Sequence, residues 1–81
     1  MFNVKSSTNL RTIVREMAAS GAASNLRAKY GGSRVDVAYR RFGVDPSTLF
    51  RWERGLSVPS GKRLVAYGTW LESLARQAAD E

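Results

Sequence analysis

Neither cysteine nor histidine occurs among the 81 residues of this chain. Without cysteine there is no disulfide framework, no thiol nucleophile and no zinc–thiolate site, and the composition suits a reducing compartment without requiring one. Without histidine the commonest general base and the commonest metal ligand are both missing. The carboxylates Glu16, Asp36, Asp45, Glu53 and Glu72 show no pairing at a motif spacing, so no catalytic or metal-binding constellation can be named and no enzyme is expected. The pair Gly31-Gly32 lacks the spaced glycines and lysine of a nucleotide loop, and no cofactor or small-molecule ligand is expected. The opening MFNVKSSTNL has no cationic segment leading into an apolar run, and no stretch approaches a membrane span. A soluble, cytoplasmic protein with no membrane partner is the expectation. Alternating apolar and polar residues of the kind that mark a β-strand are also missing from the C-terminal part.

What the chain does have is positive charge, with a net value of +6, and it is unevenly placed. Residues 26–63 carry nine basic side chains against Asp36, Asp45 and Glu53, whereas residues 64–81 carry Arg76 against Glu72, Asp80 and Glu81. A concentrated basic patch is the electrostatic footprint of nucleic-acid binding, because each neutralised phosphate releases condensed counterions. A solubilising surface would have the same composition, so charge alone leaves the two readings even.

Helical periodicity accounts for most of the remainder. Leu10, Ile13, Val14, Met17 and Ala18 form an apolar stripe that predicts a helix from about Ser7 to Ser20, with a break near Gly21. A shorter helix from about Ala22 to Tyr30 should end at Gly31-Gly32. After a loop over 56–61, Leu64, Tyr67, Gly68, Leu71, Leu74, Ala75 and Ala78 predict a final helix through about Ala78, with Trp70 toward the edge of its stripe. Gly68 inside that helix costs about 1 kcal/mol relative to alanine, which implies close packing against a neighbour. Phe42, Trp52, Tyr67 and Trp70 are the chief aromatic candidates for the core. The whole reads as one all-α domain over 1–81, a compact bundle of about five short helices, with 1–6 and 79–81 expected to fray.

The stretch around which these helices are organised is SRVDVAYRRFGVDPSTLFRWERG, residues 33–55. Ser33 followed by Asp36 is a helix-start signal. Val35, Ala38, Tyr39 and Phe42 then fall at i, i+3, i+4 and i+7, predicting one inward stripe that ends at Gly43. Asp45-Pro46 restarts the chain as a second helix, an N-cap followed by a proline at the first helical position, and Gly55 stops it after about Arg54. Leu49 and Trp52 should point inward, leaving Ser47, Phe50, Arg51 and Arg54 outside. Phe50 has two readings, contact with a thymine methyl or packing against the last helix.

Together with the SRVDVA before it and the VPS after it, GVDPSTLFRWERG resembles the lambda-repressor and Cro-like (Xre-type) helix-turn-helix family, whose members are small all-helical DNA-binding domains, often phage repressors or plasmid and restriction regulators of the bacterial cytoplasm. The resemblance covers roughly Leu26 to Ala75 and is most specific at the W-E-R-G ending followed by a proline four residues later. It implies that residues at the start of the second helix touch bases, here Pro46, Ser47, Thr48 and Arg51; Phe50 is a further candidate base contact through its thymine-methyl reading. The resemblance also implies that Arg34 holds a phosphate and that Glu53 is structural. One departure stands out: the family's small alanine usually lies four residues before the turn glycine, whereas Ala38 lies five before Gly43 and Tyr39 occupies the fourth place. Either the helix or turn holds an extra residue, or Tyr39 sits at the helix crossing. The motif also resembles that of winged-helix excisionases and MerR-like regulators.

These observations lead to an expected sequence-specific reader of double-stranded DNA, a transcriptional regulator whose helix 46–54 enters the major groove. Backbone phosphates would be met by Ser33, Arg34, Arg40, Arg41, Arg54, Lys62 and Arg63. A terminal helix is available for a homodimer, which the sequence does not decide. The alternatives are an architectural excisionase-like DNA binder and a protein-interaction module such as an antirepressor.

Overall fold

The computed structural model describes residues 7–81, so the lead-in expected over 1–6 lies outside it. Five helices follow one another: α1 (Ser7–Ser20), α2 (residues 22–31), α3 (residues 34–42), α4 (Pro46–Arg54) and α5 (Gly61–Ala79). No strand occurs among the described residues, and the fold is a small all-α bundle.

The long helices α1 and α5 form the support. The α1 stripe turns Leu10, Val14 and Ala18 inward, and α5 answers with Leu64, Tyr67, Gly68, Leu71 and Leu74. At Gly68 the two pack tightly: a β-carbon there would stand 3.0 Å from Leu10 Cδ2 and 3.5 Å from Val14 Cγ2. The close packing inferred from that glycine is what the helix pair shows. Gly21, at φ 85°, separates α1 from α2 as expected, because a left-handed residue cannot continue a right-handed helix.

Around Phe42 the aromatic residues form the centre of the core. Its ring meets Trp52, Tyr67 and Trp70 edge-on at centroid distances of 6.1, 5.5 and 5.3 Å, the favoured geometry for opposed ring quadrupoles. Trp70 is buried here, not at the edge of the stripe. Since Phe42 comes from α3, Trp52 from α4 and the other two from α5, this cluster fixes the α3–α4 pair on the support.

α2 and α3 depart from regular winding. Each begins as an α-helix, over Ala22–Leu26 and Arg34–Asp36, and continues with i→i+5 bonding over Arg27–Gly31 and Val37–Phe42. The bond from Gly32 N–H to Arg27 O, 2.9 Å, closes the first such stretch, and Gly43 N–H to Ala38 O closes the second. Wide turns of this kind place one more residue in each ring than an α-helix does. Of the inward stripe expected from 3.6-residue periodicity in α3, Ala38 is buried and Phe42 packs on the core, but Val35 and Tyr39 are 55% and 57% exposed and Val37 is buried in their stead.

At the C-terminus α5 runs one residue past the expected end, to Ala79. Asp80 N–H bonds to Arg76 O at 3.1 Å, and Lys29 Nζ reaches Glu81 Oε1 at 3.3 Å. The Glu81 carboxyl is held below its ordinary range, first by the nearby Tyr30 hydroxyl and then by Lys29, although that hydroxyl makes no hydrogen bond of good geometry.

Candidate nucleic-acid interface

α3, the turn and α4 are built by local bonds that the sequence dictates. Ser33 Oγ accepts from Asp36 N–H at 3.1 Å, capping α3. Gly43 takes φ 64° and lets the chain leave α3, and Val44 N–H bonds back to Ala38 O at 2.9 Å. Asp45 Oδ2 accepts from Ser47 N–H at 3.1 Å, and Pro46 opens α4 without a missing bond. Gly55, at φ 74°, ends it, with Leu56 N–H closing onto Arg51 O at 2.9 Å.

The nine residues of α4 then divide cleanly. Leu49, Trp52 and Glu53 are buried. Ser47, Phe50, Arg51 and Arg54 are exposed, with Pro46 and Thr48 half-buried at the leading end. No acidic side chain lies on the outer flank beyond the cap residue Asp45, because Glu53 points inward. α4 is neither walled in by its neighbours nor bordered by negative charge along its length.

At the leading end the polar groups are already bonded to one another. Ser47 donates its hydroxyl proton to Asp45 Oδ2, and Arg51 Nη2 donates to Thr48 Oγ1 at 3.3 Å. The Ser47 hydroxyl, its backbone N–H and the Arg51 charge hold the Asp45 carboxyl below the usual carboxylate range, in that order of effect. Ser47 therefore presents lone pairs outward, while Arg51 is drawn toward the N-terminal turn, where it can present its fork beside Thr48.

Behind this face lies a cluster that the sequence reading missed. Glu53, only 2% exposed, receives Arg27 Nε on Oε2 and Arg34 Nε on Oε1, the latter at 3.2 Å. Arg27 is itself buried, and its Nη1 donates to Gly32 O at 2.9 Å, satisfying a carbonyl at the end of its own helix. One carboxylate thus binds α2, α3 and α4 together. Its sequence signal was the position of Glu53 beside Trp52 and four residues after Leu49, a charge on an inward face that must find a partner.

The expected phosphate-contacting residues fall into three groups. Arg34 and Arg54 both approach Phe50, their guanidinium carbons 5.2 and 5.4 Å from its ring centroid. Arg63, exposed in the first turn of α5, lines a shallow groove with Gly43, Asp45, Thr48 and Pro59, which brings it to the leading end of α4; Lys62 is exposed beside it. Arg40 and Arg41 are not part of either set. They border a groove with Gly31, Asp36 and Val37, where Arg40 pairs with Asp36 at 3.5 Å and Arg41 lies 5.4 Å from the Trp70 ring. Phe50 is half exposed beside its two arginines and is not one of the residues packed on the core.

No helix of the described residues is long and apolar enough to cross a membrane. Comparison of the chain with family models, curated proteins and solved structures finds no match.

Proposed function

We propose that this protein is a helix-turn-helix regulator that binds double-stranded DNA sequence-specifically, with α4 entering the major groove leading end first. The observation that carries the reading is the outer flank of α4: Ser47, Phe50, Arg51 and Arg54 exposed, Thr48 at its leading end, and its only other charged residue, Glu53, turned inward. A nine-residue helix is about 14 Å long, commensurate with a groove about 12 Å wide. Arg51 would fork onto guanine O6 and N7, with Pro46, Ser47 and Thr48 against neighbouring base edges. Ser33, Arg34, Arg54, Lys62 and Arg63 would grip phosphates on either side, and Arg40 and Arg41 would meet a more distant part of the backbone.

Gel-shift selection from random duplexes tests this directly. Enrichment of one motif is expected, and a palindrome would report a homodimer on two half-sites, which sedimentation of the free protein checks independently. Absence of any enrichment, with no binding at low salt, would favour a protein-interaction module. Exposure of Val35 and Tyr39 on α3, together with Leu56 at 69%, is the feature that favours that second reading. An excisionase-like winged helix is less favoured, since no strand follows α4 in the described residues.

A further inference from the structure

We infer that Phe50 is a positioning residue, whose ring holds Arg34 and Arg54 as a clamp on the phosphate backbone. The inference rests on the DNA-binding reading and deepens it. Phe50 is 36% exposed on the flank of α4 and is not packed on the core. What covers it is two guanidinium groups, one from α3 and one from the next turn of α4, both within the range of cation–π attraction.

Two cations gathered at one ring repel each other, so their convergence needs compensation. The negative face of the ring supplies part of it. Glu53 supplies another part by taking Arg34 Nε at 3.2 Å. Arg34 is 37% exposed in its side chain, and Arg54 has no ion pair in the described structure. The result is a site of net positive charge in which planar, delocalised donors are already oriented. A phosphodiester, with one negative charge shared between two non-bridging oxygens, matches the fork of such a donor.

In this role Phe50 acts through the arginines and reads no base. Contact with a thymine methyl would make its contribution dependent on sequence, whereas a phosphate clamp contributes equally on every duplex. The two accounts separate in one experiment.

Affinity is measured across a salt series for the selected operator, the same operator with uracil for thymine, and a random duplex. Phe50→Leu should weaken all three alike, about 3- to 10-fold, the loss of two exposed cation–π contacts. Phe50→Trp should restore binding to within about 2-fold, since indole is the better cation–π partner. In an Arg34→Gln, Arg54→Gln background, Phe50→Leu should add nothing, because the groups it positions are gone. If Phe50→Leu proves unstable to urea, Arg34→Lys with Arg54→Lys gives the equivalent test: charge is kept, planar stacking is lost, and the same uniform weakening is expected. A loss confined to thymine-containing operator, or an equal loss in the double-glutamine background, overturns the clamp and leaves the DNA reading standing. Failure of the unaltered protein to retain any duplex at low salt overturns both.

Discussion

Replacing Glu53 by glutamine removes one negative charge and little volume from the point where α2, α3 and α4 meet, and the consequence can be worked from the exposure of each partner. The side chain of Arg27 is 8% exposed and that of Arg34 37%, against 1% for Glu53. Removing one partner of a buried pair typically costs about 3–5 kcal/mol, because the remaining charge keeps its desolvation penalty without compensation. That cost belongs to Arg27. Arg34 can turn to solvent, and its share is below about 1 kcal/mol. An 81-residue domain has roughly 4–12 kcal/mol of total stability at 0.05–0.15 kcal/mol per residue, so Glu53→Gln should bring the protein close to unfolding. Urea titration followed by the fluorescence of Trp52 and Trp70 measures the loss, and thermal unfolding should show a midpoint lowered by ~12–24 °C for a 3 kcal/mol effect. The double variant Arg27→Met, Glu53→Met should be less damaging than Glu53→Gln, because apolar groups of similar volume leave no unpaired charge. A single variant within about 1 kcal/mol of the parent, or a double variant worse than either single change, would refute this account of the cluster.

Two glycines give a paired stability test. A β-carbon on Gly31 would lie 2.6 Å from Trp70 Cζ2, against a buried indole that cannot yield, so Gly31→Ala should cost roughly 1–3 kcal/mol in urea unfolding. Gly68→Ala meets its tightest contact, at 3.0 Å, at the flexible end of Leu10, with Val14 Cγ2 at an ordinary 3.5 Å, and gains about 1 kcal/mol of helix propensity, so it should stay within about 1 kcal/mol of the parent; a larger loss than for Gly31→Ala would contradict both assignments. The depressed pKa of Asp45 means that its contribution to stability is complete above the ordinary carboxylate value and is lost as pH falls through the lower folded value. Asp45→Asn keeps an N-cap but not the charge, so urea midpoints between about pH 5 and 2 should fall less steeply than in the parent. For binding, Arg51→Ala should lose about 1–3 kcal/mol of discrimination at one base pair, and equal losses on operator and random DNA would contradict its role. Arg63→Ala should weaken every duplex alike and flatten the salt slope, as competition titrations at several salt concentrations would reveal.

Punctuation and periodicity made much of this fold readable. Gly21, Gly43, Asp45-Pro46 and Gly55 mark boundaries that the helices obey, and the stripes of α1 and α5 pick out the residues that pack between them. These signals are local, and local signals survive folding. The Arg27–Glu53 pair was not readable in the same way, because its members are 26 residues apart and nine basic residues between positions 26 and 63 offered themselves as partners. Glu53 announced only that a partner was needed. The surroundings of Phe50 were unreadable for the same reason: Arg54 is one turn away on its own helix, but Arg34 arrives from α3. The expected packing of Phe50 against the last helix is not what the structure has.

The irregular winding of α3 bears on how α4 is presented. α3 and α4 approach each other at Ala38, a small side chain five residues before Gly43. The chain winds wide there: Gly43 N–H and Val44 N–H both reach Ala38 O, across five and six residues, so Ala38, fully buried, keeps its place beneath the turn. With the wide turn Phe42 meets Trp52, Tyr67 and Trp70, and α4 keeps its outer flank toward solvent. The surface consequence of the wide winding is an exposed tyrosine, Tyr39, where regular periodicity expects core.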